Sequence, residues 1–378
     1  MIIKPPFKYL GITLLLFSIM ACARRLDSVF DKHDNVKRTE IPSTVFKHKD
    51  YGFNFKDYDK SPIAITYLGC GGFSIKRNDN TVLIDPFFTN PGPLKGAGVC
   101  KMKTKTEKVS IGMANIPNFV NENVAAILVS HSHYDHLMDV PYVYDRYTNP
   151  GETEIYCSQS SKNMINGVGK IEAEKITTLN YETSSVNQIG DRFFLAEGSI
   201  RITPILSEHA PHYKSIKMFE GDAKPKHKYT EPLDRSRAGW WKEGETYAFL
   251  IDFLSPTNSD SIEFRIFLQS SAANPQNGWL HPDLKVEHPV NLALLGIASF
   301  DYVDHYPESL IDHLEPEKLV LCHWEDFFKK YDRKKPKRVR ATKVREAIRR
   351  VALVYPHSNN KEEQFILPYP GVTINCSK

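Results

Sequence analysis

The sequence is poor in cysteine, and its opposite charges nearly balance. Its 378 residues include 6 cysteines, and the five beyond Cys22 are an odd number without a Cys-x-x-Cys motif. A complete disulfide framework is therefore excluded, although a bridge from Cys100 to another loop cysteine stays open. The net charge of +4 is too small to indicate nucleic-acid binding by itself, and no repeat or coiled-coil period is present.

Long apolar runs are also missing, and the longest one near the N-terminus is short. Lys4 and Lys8 precede the apolar stretch 9–20, which falls short of the ~20 residues that cross a bilayer as a helix. This pattern predicts a signal peptide over residues 1–21 and export of the protein.

The end of this stretch, Ile19-Met-Ala-Cys22, is similar to the lipobox of bacterial lipoproteins. It predicts lipidation of Cys22, and so a membrane-anchored lipoprotein of the cell envelope, on the periplasmic side or at the cell surface. Ala21-Cys-Ala23 also fits an ordinary small-x-small cleavage site, which would release a soluble secreted protein.

The rest of the chain divides into an N-terminal arm and one domain. Residues 22–60 have no steady apolar period and are predicted to form a tether and an arm, whereas 61–378 form the domain. In its later part, strands are expected at 154–159, 192–206, 246–253, 262–268, 291–298 and 318–323, and helices near 159–169, 307–315 and 341–353. Two β-rich halves with helices outside would bury both sheets against each other.

The most informative segment is His131-Ser-His133-Tyr-Asp135-His136, directly after the apolar run 125–130. Three imidazoles and a carboxylate within six residues, at the end of a buried strand, can converge on divalent metal without backbone rearrangement. The segment therefore predicts a metal site.

This motif resembles the His-x-His-x-Asp-His signature of the metallo-β-lactamase superfamily. Other matching pieces are the strands 63–68, 73–75 and 81–86, the strand 199–206 before Glu208-His209, and Leu319-Val-Leu-Cys-His323. The resemblance covers about residues 60 to 330, and it is nearest to the branch of N-acylphosphatidylethanolamine phospholipase D and the ascorbate-phosphate lactonases. It implies an α/β (α+β) fold, a four-layer αββα sandwich with metals at one edge between the halves.

The resemblance also implies an activity and a ligand set. His131, His133 and His209 would hold one Zn²⁺, and Asp135, His136 and His323 a second, with Mn²⁺ or Fe as alternative metals. The expected enzyme is a metal-dependent hydrolase that uses a zinc-bound hydroxide on an ester, lactone or phosphodiester. Asp135 would be catalytic by orienting the water or accepting a proton, and the substrate would be a small molecule or lipid-like.

One part of the family pattern is absent. Ser270 stands where the family has a bridging aspartate, so the second metal should bind more weakly or use another bridge, with Asp252 and Asp301 as candidates. Asp85 is expected to orient a ligand imidazole or the loop amides. A non-catalytic or weakly active lipid-anchored binding protein on the same scaffold is the alternative function.

Other residues are open to two interpretations. Tyr134 could line the pocket or pack under the loop, and His212 could contact substrate or metal or lie exposed at the rim. The basic segment 329–350 fits a solvated helix face, attraction of an anionic substrate or contact with lipid head groups. Nucleic acid is not the expected partner, because the aromatic residues of a strand-binding groove are not interleaved with these charges.

Overall fold

The computed structural model describes the chain from residue 45 onward, with several gaps. The described residues are 45–55, 58, 60–168, 171–181, 189–212, 214–225, 236–328, 338–339, 342–355 and 364–377. The predicted signal peptide with Cys22, and residues 329–337, 340 and 341 of the basic segment, lie outside them.

Sixteen strands are present in the described part of the chain. They are β1 (Phe46–Lys47), β2 (Tyr51–Asn54), β3 (Ile63–Gly69), β4 (Gly72–Arg77), β5 (Asn80–Ile84), β6 (Val124–Leu128), β7 (Glu154–Cys157), β8 (Ile176–Thr178), β9 (Phe193–Leu195), β10 (Ile200–Ser207), β11 (Thr246–Ser255), β12 (Asn258–Gln269), β13 (Leu292–Gly296), β14 (Lys318–Cys322), β15 (Phe365–Pro368) and β16 (Thr373–Ser377).

Eight α-helices are described in the same residues. They are α1 (Pro93–Gly96), α2 (Thr106–Ala114), α3 (Tyr134–Leu137), α4 (Val140–Tyr147), α5 (Gln159–Val168), α6 (Pro282–Glu287), α7 (Glu308–Leu314) and α8 (Val344–Val354). Every helix in this part of the chain is too short or too polar to cross a bilayer.

The strands form two eight-stranded sheets. The first sheet has the order β2-β16-β3-β4-β5-β6-β7-β8, and the second has the order β1-β15-β14-β13-β12-β11-β10-β9. In the first, β5 to β8 run parallel, and in the second, β12 to β15 do. Each half of the domain therefore combines an antiparallel hairpin region with a parallel region.

Alternating apolar residues explain why the sheets stack. In β6, Ala126 and Leu128 face the other sheet, whereas Ile127 packs with the helices outside. The core between the sheets includes Phe249 and Ile266, and both are fully buried. Burial of both inner faces holds the two halves together.

Helices cover the outer face of each sheet. Residues of α2, α4 and α5 pack against the first sheet, and residues of α7 and α8 pack against the second. On α8, Ala347, Ile348 and Val351 are buried, whereas Leu353 is exposed. The layers are thus helix, sheet, sheet and helix, which confirms the predicted αββα sandwich.

The N-terminal arm belongs to both sheets. Its strand β1 pairs with β15 in the second sheet, and β2 pairs with β16 in the first. The domain therefore begins before residue 61, because the arm supplies an edge strand to each half. A local pattern could not reveal this, since both partners lie near the other end of the chain.

The parallel strands fix where the candidate residues meet. Asp85 follows β5 and His131 follows β6, at the carboxyl edge of the first sheet. Ser270 follows β12 and His323 follows β14, at the carboxyl edge of the second. Carboxyl ends of neighbouring parallel strands share one edge, and in α/β sheets that edge is where ligands bind.

Candidate metal centre

The loop after β6 carries four of the candidate ligands. All residues from Ser130 to His136 are buried, and the loop ends in the short helix α3. Ser132 links the loop to the segment before β11, because its backbone N–H and its hydroxyl both donate to the carbonyl of Glu243, at 3.0 and 2.9 Å. These two hydrogen bonds fix the loop against the half of the domain that contains the second sheet.

The first ligand set brings together His131, His133 and His209. One nitrogen from each ring lies within 4.8 Å of the other two. The ring centroids are 4.9 Å apart for His131 and His133, 4.8 Å for His131 and His209, and 4.6 Å for His133 and His209. Three imidazoles converging in this way suit a transition-metal cation.

The second set brings together Asp135, His136 and His323. Oδ2 of Asp135 lies 3.7 Å from Nε2 of His136 and 3.7 Å from Nε2 of His323. The two sets are adjacent, because the ring centroids of His131 and His136 are 3.9 Å apart. The six residues therefore form one continuous centre with two groups of ligand atoms.

Hydrogen bonds on the far side of the rings select the ligand nitrogens. Nδ1 of His136 is 2.8 Å from Oδ2 of Asp85, and Nδ1 of His209 is 2.6 Å from the carbonyl of Ala210. Both bonds hold the proton on Nδ1 and leave Nε2 free to bind. Asp85 also accepts from the N–H of Ser130 at 2.8 Å, so its carboxyl group contacts both the loop and the ring of His136.

The ligand atoms fit a metal by their lack of other partners. Nε2 of His131 and Nε2 of His133 are buried with no hydrogen-bond partner among the described residues. Buried polar atoms are rarely left unsatisfied, and bound cations are one way in which they are satisfied. The donor set of imidazoles and one carboxylate suits zinc, manganese or iron.

Burial keeps most of the rings in the neutral form that binds metal. It lowers the pKa of His131, His133, His209 and His323 well below 6.5, and neighbouring imidazoles lower it further. Burial also opposes the charged form of His136, but Asp85 and Asp135 outweigh it and raise the pKa of that ring. Burial raises the pKa of Asp135, and His136 offsets part of this rise.

Ser270 lies behind the two sets and supplies no charge. Its hydroxyl donates to Oγ of Ser130 at 2.7 Å, and that Oγ lies 3.1 Å from Nδ1 of His131. Two glycines leave room for it: a Cβ on Gly71, whose φ is +76°, would lie 3.1 Å from the Ser270 Cβ, and one on Gly296 would clash with the Ser270 carbonyl. A neutral hydroxyl therefore occupies this position.

Asp252 and Asp301 are not the substitute bridges that the sequence suggested. Both oxygens of Asp252 bind Arg265, and Oδ2 also binds Arg201. Arg201 pairs with Asp252 near the start of β10, roughly 25 Å of strand before His209. Asp301 lies beside Lys343, with Oδ2 3.3 Å from Nζ. Neither belongs to a ligand set.

Tyr134 and His212 have different surroundings. Tyr134 is 5% exposed and its ring lies edge-on to Phe87, so it packs under the loop. His212 is partly buried and stacks on His209 with centroids 4.8 Å apart. Its Nδ1 accepts from the N–H of Met218 at 3.0 Å, which leaves the proton of the neutral ring on Nε2.

Sequence reasoning missed Tyr67 and Glu325. The Tyr67 hydroxyl donates to Oε2 of Glu325 at 2.6 Å and accepts from the N–H of His323 at 2.7 Å. Oε1 of Glu325 accepts from the N–H of Cys70 at 2.6 Å. The only signal in the sequence was an acidic residue two positions after a ligand at the end of an apolar strand.

The five described cysteines are all unpaired.

Comparison with known proteins finds similarity over part of the chain. Residues 80–225 match a family model described as a beta-lactamase superfamily domain, and this stretch contains every ligand residue except His323. A UPF0173 metal-dependent hydrolase from Aeropyrum pernix is 32% identical over 87 residues, which are 23% of this chain. The match spans about a quarter (26%) of that relative's length.

Solved structures that align with most of this chain have little sequence identity to it. A metallo hydrolase from Ignicoccus hospitalis has a TM-score of 0.42 at 15% identity, with 83% of this chain and 98% of that one covered. An isothiocyanate hydrolase from Delia radicum gut bacteria has a TM-score of 0.45 at 14% identity, with 82% and 98% covered.

Proposed function

We propose that this protein is a metal-dependent hydrolase whose metal centre is the pair of ligand sets at the carboxyl edges of the two sheets. The observation that carries this proposal is the convergence of six ligand residues from three distant segments, with imidazole nitrogens buried and left without other partners. The match of residues 80–225 to a beta-lactamase superfamily domain supports it. Zinc is the proposed metal, because imidazole nitrogen is its commonest neutral ligand.

The side chains of the centre have different proposed roles. A bound divalent cation supplies Lewis acidity, by which it acidifies water and stabilises negative charge on an oxygen. Asp85 and the carbonyl of Ala210 hold the protons of His136 and His209 on Nδ1, which keeps each Nε2 directed at the centre. Asp135 contributes the centre's one carboxylate, positioned to orient water or to take its proton.

His212 is the proposed donor to the substrate. Because Met218 donates to its Nδ1, the neutral ring presents an N–H at Nε2 beside the first ligand set. Phe219 and Phe327 supply apolar walls, since their rings lie 6.4 Å from His133 and 5.2 Å from His323. An ester, lactone or phosphodiester with an apolar part fits these surroundings.

Metal analysis and one variant test the proposal. Protein purified without chelator should contain between one and two equivalents of zinc or manganese and should hydrolyse generic phosphodiester or lactone probes. His133→Ala should lose metal and hydrolysis while its circular dichroism stays that of a folded protein. His281→Ala is the matched control, because this histidine caps α6 outside the centre. Less than a tenth of an equivalent of metal in the unaltered protein would refute the proposal that it is a metal-dependent hydrolase.

Ser270 favours a second function, a binding protein that has lost turnover. With a neutral hydroxyl at this position, the two ligand sets found among the described residues contain a single carboxylate, that of Asp135. Ser270→Asp separates the two: a large gain in hydrolysis indicates decayed catalysis, whereas a loss indicates that the native centre works with serine. Ser270→Ala controls for loss of the hydrogen bond to Ser130.

We also propose that the protein is exported and anchored through lipidated Cys22. The support is the sequence alone, a short basic and apolar segment that ends in Ile19-Met-Ala-Cys22. Labelled fatty acid should be incorporated into the full chain and should be lost in Cys22→Ala. Export of an unlabelled protein would instead support the ordinary cleavage site at Ala21-Cys-Ala23.

A further inference from the structure

The ligand sets of the centre contain little negative charge for two divalent cations. Among the described residues, the first set offers three imidazoles, and the second offers two imidazoles and the carboxylate of Asp135. An imidazole binds a cation as a neutral ring, so the five rings add no negative charge. Two divalent cations would therefore meet a single ligand charge of the opposite sign in a buried place, which is strongly unfavourable.

The side chains behind the centre do not correct this imbalance. Ser270 is neutral and its hydroxyl donates to Ser130, which in turn donates to Asp85. Asp85 also accepts from Nδ1 of His136, so its charge acts through that ring. This chain of hydrogen bonds ends at Asp85, which belongs to neither ligand set. One cation can be satisfied by these residues, whereas a second one needs more negative charge.

The rim beside the first set carries lysines and carboxyl groups together. Lys217 acts electrostatically on His212, and Lys242 acts on His133. Lys217 also acts on Glu243, as do the carboxyl groups of Glu208 and Glu220. Among the described residues none of these carboxyl groups belongs to a ligand set, so they do not supply the missing ligand charge.

We propose that the second cation is held jointly by the protein and by an anionic oxygen group of the substrate, so that substrate and second cation bind together. The substrate class is then a phosphate ester, or an ester that also carries a free carboxylate, whose anionic oxygens complete the charge of the centre. This inference rests on the proposed function and goes beyond it by making the second cation dependent on the ligand. By linkage, the anion raises the affinity for the cation by the same factor as the cation raises the affinity for the anion.

Equilibrium dialysis of the metal-free full chain against Co²⁺ tests this inference. At equilibrium the concentration of free Co²⁺ is equal on both sides of the membrane. Complexes of Co²⁺ with the anion form equally on both sides, so they are not counted as Co²⁺ bound to the protein. Without added anion, about one equivalent should bind tightly. Inorganic phosphate should bring in a second equivalent at least tenfold more tightly, with a change in the visible Co²⁺ spectrum. Acetate is tested in the same way. If acetate strengthens binding of the second equivalent more than phosphate does, the anionic group of the substrate is a carboxylate.

Three variants locate the effect. In Ser270→Asp, the second equivalent should bind without anion, and the response to phosphate should fall below threefold. Ser270→Ala should keep the response of the unaltered protein, since it removes a hydroxyl and adds no charge. His323→Ala should bind one equivalent whether phosphate is present or absent, because the second set is incomplete.

The outcomes separate this inference from the hydrolase itself. Two equivalents that bind with similar affinity in the absence of anion would overturn the inference and leave the hydrolase intact. One equivalent that neither phosphate nor acetate increases would also overturn it. Failure to bind any Co²⁺ would refute the proposed function. The unaltered protein decides between these results even if Ser270→Asp does not fold.

Discussion

The hydroxyl of Tyr67 lies 2.6 Å from Oε2 of Glu325, and it joins the two halves of the domain behind the second ligand set. Tyr67 belongs to β3 of the first sheet, whereas Glu325 follows β14 of the second. The same hydroxyl accepts from the N–H of His323, whose φ of +55° is uncommon for a residue other than glycine. The tyrosine therefore holds a ligand in a strained conformation.

Removal of this hydroxyl should weaken the second site selectively. Tyr67→Phe removes the acceptor of the buried N–H of His323 and one donor to Glu325, which costs about 1–3 kcal/mol of stability. With phosphate present, the second equivalent of Co²⁺ should bind about tenfold more weakly. This is at the low end of the usual loss of affinity when a residue that hydrogen-bonds to a metal ligand is mutated. The first equivalent should bind as before, as equilibrium dialysis can show.

A second tyrosine provides the control for this substitution. The hydroxyl of Tyr144 donates to the carbonyl of Pro150 at 2.9 Å, away from the ligands. Tyr144→Phe should therefore lower stability without changing either affinity for Co²⁺. If Tyr67→Phe behaves like Tyr144→Phe, the hydroxyl of Tyr67 contributes to stability alone.

Asp85 should control the same site through His136. Asp85→Asn keeps the size of the side chain but removes the charge that holds the proton on Nδ1 of His136. The second equivalent of Co²⁺ should bind about 10- to 100-fold more weakly. Asp139→Asn is the matched control, because this buried carboxyl accepts from Phe88 and Thr89 and not from a ligand. Equal losses in both variants would contradict a specific role for Asp85.

The motif was legible in the sequence because its parts are local. An apolar strand followed by His131-Ser-His133-Tyr-Asp135-His136 has both its strand and its polar loop within one short window, and β6 and its loop lie as predicted. His209 and His323 follow apolar runs of the same kind, and the structure brings both to the centre.

Long-range partners were not legible. Tyr67 and Glu325 are 258 positions apart, and their hydrogen bond depends on how the two sheets stack. Asp252 failed as a candidate ligand for a similar reason. The residue that neutralises it, Arg265, lies opposite on the next strand, and a pattern of apolar residues does not specify such a register.

Asp252 should matter for stability and not for metal. It binds Arg265, which is fully buried, so Asp252→Asn leaves a guanidinium with less compensating charge and should cost about 3–5 kcal/mol. The Co²⁺ stoichiometry of the folded variant should match that of the unaltered protein. Asp145→Asn breaks an exposed pair with Arg146 and should cost less than about 1 kcal/mol. Loss of metal from folded Asp252→Asn would restore this residue as a ligand.

Glu243 should make the metal-free protein less stable as the pH rises. Burial raises its pKa from 4.5 to about 7, so between these values the folded protein holds a proton that the unfolded chain has lost. The contribution to stability is complete below pH 4.5 and disappears as the pH rises through 7. In urea unfolding with chelator present, Glu243→Gln should therefore gain stability relative to the unaltered protein between pH 5 and pH 8. The buried histidines shift stability in the opposite direction, but they are common to both proteins and cancel in the difference. Glu174→Gln, at an exposed position, should leave the pH dependence unchanged, and the same result for Glu243→Gln would disprove the prediction.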